Sequence, residues 1–349
     1  MVDWHRFVGS IMRGIVAGVA VLALLLEGAP PQPRGPGLRH LRFSPDGRYV
    51  LAQNDSRITV LSVQPFAIQF RAPAQNASLA EFTPDSQQLV FVSGATHVDA
   101  TKLALAPSTA RVERWSVADR VQVESTEIRE PPCVVQSLSP DGRIVGCVDF
   151  AGTLRLVVVA SGEVIFKKTN SLHAIGDPAS SRIDFSPDGR FVVAALDFTD
   201  APPVAWDLVE KKALTLPGEL HQRFFAGRFV FVAPDRVVIQ RMRVVGIWNW
   251  RGVLTTSVVA FPSGDTLSTP TLPRGDLFRA ADPDFVLVRP TGQFPVGVIE
   301  YRTGYAITGG RPAMDVFGSR YVAERANGEL GLYERSKKGA LATVLLEAR

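Results

Sequence analysis

Four residues occupy the same place in a repeated phrase, and their side chains could form a polar site. Arg42, Glu81, Ser137 and Asp184 each precede an apolar residue that is followed by Ser or Thr, Pro and Asp. If the phrases surround a common centre, these groups meet there and can bind a small polar ligand or an ion. Alternatively, they pair with one another and with turn backbone, because buried charge needs a partner. We expect the pairing.

A second candidate site is a long insertion at about residues 94–109, which contains His97, Asp99 and Lys102. Long loops on a rigid scaffold commonly carry binding function. The alternative is a surface excursion that the fold tolerates. Residues 259–275 form another extended connection.

Two cysteines, Cys133 and Cys147, flank one of the repeated phrases. In a hairpin centred on that phrase, Cys133 falls opposite about residue 149, so the two sulfurs are diagonal neighbours. Two reduced thiols packed as small apolar groups suit that offset slightly better than a disulfide. A disulfide remains open if the chain is exported to an oxidising compartment.

The sequence lacks the motifs that usually identify several classes of function. The five histidines show no metal-ligand spacing, and the sequence has neither a c-type haem motif nor a Gly-x-Ser-x-Gly nucleophile turn. The formal net charge of +4 is spread along the chain, so nucleic acid is not an expected partner. We therefore predict no metal and no cofactor, and we assign no catalytic residue.

The repeated phrase itself predicts a β-hairpin turn. It occurs as Phe43–Arg48, Phe82–Ser86, Leu138–Arg143 and Phe185–Arg190, at intervals of about 40 to 55 residues. Pro pre-sets the backbone, Asp bonds the local chain, Gly accepts the left-handed conformation, and the Ser or Thr hydroxyl caps the turn. An apolar run follows each turn and is typical of a strand buried on both faces.

Further apolar runs complete seven units of four strands each from about residue 38 to the C-terminus. Degenerate turns introduce the last three units at Phe229–Asp235, Asp282–Asp284 and Asp315–Ser319. In the fifth unit, Val245–Trp250 is the predicted third strand and the fourth begins at Val253. The regular spacing predicts an all-β, seven-bladed β-propeller made of four-stranded antiparallel blades.

The Phe-Ser-Pro-Asp-Gly-Arg phrase resembles the PD40 repeat of WD40-like bacterial β-propellers similar to TolB. The resemblance covers nearly all of residues 38–349. It implies the propeller fold but no particular function. Only Trp206-Asp207 supplies the dipeptide of true WD40 repeats, and their Gly-His pair is missing.

The N-terminus predicts export. Arg6 and Arg13 precede the apolar run of residues 14–26, and a Pro-rich stretch follows it. Residues 1–29 are therefore a signal peptide or a retained membrane anchor, residues 30–37 a linker, and residues 38–349 the propeller. By the positive-inside rule the propeller is extracytoplasmic, either periplasmic or secreted, and held at the inner membrane if the segment is uncleaved.

These features favour a non-enzymatic module in the bacterial envelope that binds another protein through the faces of the ring. The alternative is a propeller enzyme, lactonase-like or an oxidoreductase, with a polar or metal site in the central channel.

Overall fold

A computed structural model describes residues 38–349 with gaps. The residues outside the description are 1–37, 39, 55, 75–76, 78–79, 95–109, 129–132, 150–152, 170–181, 196–202, 218–219, 221–228, 246–250, 274, 291–296, 304–305, 308–313, 326–328, 337–339 and 347–349. The predicted signal or anchor segment and linker, and the loop residues His97, Asp99 and Lys102, lie among them.

The described strands form seven antiparallel sheets, each made of four strands consecutive in sequence. Blades 1 to 4 comprise β1 (His40–Phe43), β2 (Tyr49–Gln53), β3 (Arg57–Val63), β4 (Phe66–Pro73); β5 (Glu81–Phe82), β6 (Gln88–Ser93), β7 (Arg111–Ser116), β8 (Gln122–Glu127); β9 (Cys133–Leu138), β10 (Ile144–Asp149), β11 (Leu154–Val158), β12 (Val164–Lys168); β13 (Arg182–Phe185), β14 (Phe191–Ala195), β15 (Val204–Asp207) and β16 (Lys212–Leu214). Blades 5 to 7 comprise β17 (Phe229–Ala233), β18 (Arg236–Val245), β19 (Arg251–Ala260), β20 (Thr266–Ser268); β21 (Gly275–Arg279), β22 (Phe285–Pro290), β23 (Gly297–Glu300), β24 (Ala306–Ile307); β25 (Met314–Phe317), β26 (Arg320–Glu324), β27 (Glu329–Glu334) and β28 (Ala340–Leu345).

The blades close into a ring through apolar packing between neighbours. In the described part of the chain, each of seven buried clusters joins one pair of adjacent blades. The cluster that joins blade 7 to blade 1 contains Leu41 and Phe43 from β1 and Val322 and Leu332 from blade 7. None of the described strands is shared across this junction, called here the closing interface. Side-chain burial and a few hydrogen bonds therefore close the circle. The predicted seven-bladed propeller is confirmed.

The position of a strand within its blade determines how deeply it is buried. The first strands of neighbouring blades contact one another, as in the pairs β1–β25, β9–β13, β13–β17 and β17–β21, so they line the centre. The second strands β2 and β14 are almost wholly buried, whereas the fourth strands β8 and β28 consist of exposed and half-buried residues. The continuous apolar runs of the sequence thus mark strands that lie between two neighbouring blades.

The phrase forms the turn that its chemistry predicts. In blade 4 the Ser186 hydroxyl donates to Asp188 Oδ1 at 2.5 Å and accepts from the Phe191 N–H at 2.8 Å. Gly189 closes the turn at a φ of +74°, a conformation that costs glycine little. The turns of blades 1 and 3 repeat this pattern, and blade 2 places Ser86 where the others have glycine, at a φ of +61°.

A second turn in every blade is tied to the first. The last residue of the third strand, or the residue after it, donates its N–H to the carbonyl of a residue at the end of the first turn. The bonds are Val63 to Arg48, Val117 to Gln87, Val159 to Arg143, Leu208 to Arg190, Phe261 to Asp235, Tyr301 to Asp284 and Arg335 to Ser319, at 2.7–3.3 Å. Because both turns then share one end of the blade, they form a single end of the ring, called here the turn face.

Blade 5 departs from its predicted strand boundaries. Its second and third strands, β18 and β19, each run for 10 residues and pair along their whole length from Arg236–Ala260 to Val245–Arg251. The prediction that Val245–Trp250 is the third strand and that the fourth begins at Val253 is therefore wrong. The predicted 259–275 connection in fact contains β20. Residues 236–245 contain no Gly, Pro, Asn, Asp or Ser that would signal a turn, so a single strand continues through them.

Candidate functional site

The centre of the turn face holds a funnel-shaped cavity of about 340 Å³. Its wall consists mainly of the proline rings of six of the seven first turns, together with small apolar side chains. The prolines are Pro45, Pro84, Pro140, Pro187, Pro234 and Pro283. The repeated phrase thus builds both the blades and an apolar wall around the channel mouth.

Three charged side chains lie at the base of the funnel and link three blades. Glu81 of β5 accepts hydrogen bonds from two arginines, one on each carboxylate oxygen. Arg42 of β1 donates from Nη1 to Oε1 at 2.9 Å, and Arg279 of β21 donates from Nη2 to Oε2 at 2.7 Å. Arg279 Nη1 also donates to the Phe185 carbonyl at 3.1 Å. The base therefore carries two cations and one anion, called here the Arg–Glu–Arg triad.

The triad is mostly buried, which strengthens its electrostatics. The side chains of Arg42 and Arg279 are 12% and 10% exposed. Burial by itself would raise the pKa of Glu81, but the Arg42 and Arg279 guanidiniums outweigh that effect and lower the pKa to about 2. Glu81 is consequently an anion at any physiological pH.

Two further carboxylates lie on the inner strands and are held by backbone. Asp315 is fully buried at the closing interface. Its Oδ2 accepts from the Phe43 N–H of blade 1 at 2.7 Å, and its Oδ1 accepts from the N–H groups of Ala281 and Val316 at 3.1 and 2.9 Å. Asp184 Oδ2 accepts from the Phe231 N–H of the next blade at 2.8 Å. Each carboxylate thus ties neighbouring inner strands together.

The pKa values of these two groups shift in the direction opposite to that of Glu81. Burial raises the pKa of Asp315 to about 6, against the opposing effects of Arg42 and of the three N–H donors. Burial also raises the pKa of Asp184, against the attraction of Arg182 and Arg279.

The structure brings together only some of the residues singled out in the sequence. Arg42 and Glu81 pair directly, as expected, whereas Asp184 binds backbone and does not line the funnel. Ser137 lies half-buried on β9, also outside the funnel lining.

Sequence reasoning missed Arg279 and Asp315. Arg42 and its partner Leu51 are nine positions apart, whereas Arg279 and Val286, and Asp315 and Val322, are seven apart, because the turns of blades 6 and 7 are shorter. These two residues could have been found as charged residues on the first strand of a blade whose turn is degenerate. Their position has to be counted along that strand, because the distance back from the proline of the turn differs between blades.

The cysteines form a disulfide between β9 and β10, with their Cα atoms 5.4 Å apart. Cys133 pairs with Asp149 in the strand register, as the sequence predicted, and Cys147 pairs with Gln136. The favoured expectation of two reduced thiols is wrong: the diagonal offset predicted for this pair, with Cys133 opposite Asp149, is compatible with a disulfide.

The described residues contain no group of three or more His, Cys, Asp or Glu side chains that could hold a metal ion. The same residues include no helix with the length and apolar character needed to cross a membrane.

The fold and the channel mouth define a seven-bladed β-propeller with a charged cluster at the base of an apolar funnel. No family model matches the chain, and no curated protein matches it significantly. Among solved structures, a chain of the Kuenenia stuttgartiensis hydrazine synthase is similar at 11% identity with a TM-score of 0.56, covering 89% of this chain and 99% of that one. The β-propeller domain of Cps50 (Swd1) from Myceliophteria thermophila is similar at 10% identity with a TM-score of 0.52, covering 86% and 95%. At such identities the likeness establishes the fold alone.

Proposed function

We propose that this propeller is a non-enzymatic binding module of the bacterial envelope, related to the PD40 repeat proteins, and that its turn face binds another protein. The observation that carries the proposal is the hydrogen bond that ties two turns together in every blade. A surface held in this way is preorganised, so a partner does not have to order it on binding.

The chemistry of the turn face supports the same role. Pro45, Pro84, Pro234 and Pro283 are exposed around the funnel. Rigid apolar rings beside polar turn residues offer contact area at little cost in side-chain entropy. We infer that the partner covers the funnel and contacts several blades at once.

The engaged carboxylates favour binding over catalysis. Both oxygens of Glu81 are bonded to arginines, and both oxygens of Asp315 accept backbone N–H groups. A general acid, a general base or a metal ligand needs an oxygen that can reach substrate or metal. In this channel those oxygens hold blades together.

Export is supported by the apolar run of residues 14–26 and by the disulfide, because disulfides persist in oxidising compartments. The test is to alkylate living cells and determine the redox state of Cys133 and Cys147 by mass. The full chain is expected to be oxidised, and a variant that lacks residues 14–26 is expected to be reduced. Reduced cysteines in the full chain would overturn the export proposal.

Site-specific photo-cross-linking in the native envelope tests the binding role. A photoreactive side chain replaces Pro84 on the turn face or, as a matched control, Val164 on an exposed outer strand. We expect one defined protein adduct from position 84 and none from position 164. Equal adducts from both positions, or none from position 84 together with turnover of a small molecule by the purified protein, would contradict the proposal.

A further inference from the structure

We propose that the funnel on the turn face is a binding site for a carboxylate carried on an apolar body, with Arg42 and Arg279 as the groups that bind the carboxylate. The inference goes beyond the proposed function, because it concerns the ligand chemistry of the channel mouth whether or not a protein binds around it.

The first reason is an excess of hydrogen-bond donors. A guanidinium carries five N–H donors. Arg42 uses one of its donors on Glu81, and Arg279 uses one on Glu81 and one on the Phe185 carbonyl. Most N–H groups of the two side chains thus have no acceptor within the part of the chain that the structure describes. Both arginines line the cavity, so a ligand there finds donors available.

The second reason is the position of the charges. In the Arg–Glu–Arg triad, two guanidiniums line the cavity beside one carboxylate. Asp184 and Asp315 act electrostatically on Arg42 from outside the cavity lining. The nearby carboxylates of Asp184 and Asp315 are directed at backbone N–H groups and do not line the cavity. Asp188 does line it, but it is exposed at the rim and accepts from the Ser186 hydroxyl and the Arg190 N–H.

The shape and wall of the cavity decide the kind of anion. A carboxylate offers two acceptor oxygens in a geometry that matches the N–H donors of a guanidinium. The wall above the arginines is made of proline rings and of Val232, Ala233 and Ala280, which favour an apolar body. A cavity of about 340 Å³ lies at the lower end of the range for small-ligand sites. The ligand is therefore a small apolar acid or the carboxylate of a protein segment inserted from above.

Calorimetric titration of the purified full chain in a neutral detergent tests the site. The probes are 4-phenylbutyrate and its neutral amide, and the acetylated tripeptide Ala-Ala-Phe with a free or an amidated C-terminus. We expect both acids to bind and neither amide to bind. Tighter binding of the tripeptide acid would identify a protein carboxylate as the natural ligand, and tighter binding of phenylbutyrate would identify a free acid. Absence of acid binding, or equal binding of acid and amide, would overturn the proposal.

Two substitutions in the triad give effects of opposite sign. Arg279→Gln removes a charged donor and is expected to weaken acid binding about tenfold. Glu81→Gln removes the competing anion, and it is expected to tighten acid binding about fivefold even though it weakens the fold. A purely structural triad would not produce tighter binding in any variant. Unchanged affinity in a folded Glu81→Gln protein would overturn the proposal, and this result does not depend on whether Arg279→Gln folds.

Discussion

Glu81 at the channel mouth and Asp315 at the closing interface are both acids on inner strands, yet the chain compensates them differently. Glu81 lies between two guanidiniums at 2.9 and 2.7 Å. Asp315 has its nearest compensation in three backbone N–H groups, donated by Phe43, Ala281 and Val316. The pKa of Glu81 falls to about 2, and that of Asp315 rises to about 6.

This difference in compensation indicates that Glu81 and Asp315 have different roles in the channel. Full charges compensate Glu81, and the two arginines keep unused N–H donors beside an open cavity, which suits a binding site. Backbone dipoles compensate Asp315 inside a closed interface, which suits a structural link between blades that share no strand. We therefore expect changes at Asp315 to affect mainly stability, and changes at Glu81 to affect both stability and ligand affinity.

The largest effect is expected for Asp315→Ala. The substitution leaves the N–H groups of Phe43, Ala281 and Val316 without this acceptor, two of them buried, and weakens the contact of blade 7 with blades 1 and 6. Loss of several such bonds is expected to lower the free energy of unfolding by about 4 kcal/mol. Urea unfolding followed by circular dichroism measures it. The control is Asp265→Ala at an exposed turn, for which we expect a change within about 0.5 kcal/mol. A similar decrease in the free energy of unfolding in both variants would contradict a specific stabilising role of Asp315.

A smaller effect is expected for Glu81→Gln. The amide keeps one acceptor oxygen but places an N–H₂ group against the second guanidinium. Because the Glu81 side chain is 30% exposed, water offsets part of the loss, and we expect about 2 kcal/mol by the same unfolding measurement. Glu127→Gln on the exposed strand β8 is the control and is expected to change little. A cost for Glu81→Gln larger than that for Asp315→Ala would reverse the comparison.

Local turn chemistry explains how much of the fold could be predicted from sequence. The bonds of Ser186, Asp188 and Gly189 are all made within one phrase, so the residue types alone specify the turn. Four intact phrases fix the repeat length, and the repeat length fixes a ring. Blade 5 was partly misassigned because nothing in residues 236–245 signals where a long strand ends.

The site depends on contacts between distant residues, and sequence spacing reports these poorly. Arg42 and Glu81 belong to intact phrases, so their proximity could be predicted. Arg279 is 198 residues from Glu81 and precedes a degenerate turn, and Asp315 reaches back 272 residues to Phe43. The hairpin spacing predicted the diagonal offset of the two cysteines, but that offset alone did not decide between a disulfide and two thiols.

The dependence of stability on pH measures the contrast between the two acids most directly. Asp315 has a folded pKa of about 6, above the unfolded value of about 3.9, so the folded state binds more protons between these values. Its contribution to stability therefore increases as the pH falls from about 6 to 4. Glu81 has a folded pKa of about 2, below the unfolded value of about 4.3, so its contribution is complete above about pH 4.3 and is lost as the pH falls towards 2.

The measurement is the free energy of unfolding of the wild type, Asp315→Asn and Glu81→Gln from pH 7 to pH 2, with each variant subtracted from the wild type so that the other groups cancel. We predict that the difference for Asp315→Asn grows by about 2 kcal/mol as the pH falls from 6 to 4. The difference for Glu81→Gln is predicted to stay nearly constant from pH 6 to pH 5 and to shrink below about pH 4.3. Two differences that change in the same direction over the same pH range would contradict the account of the channel given above.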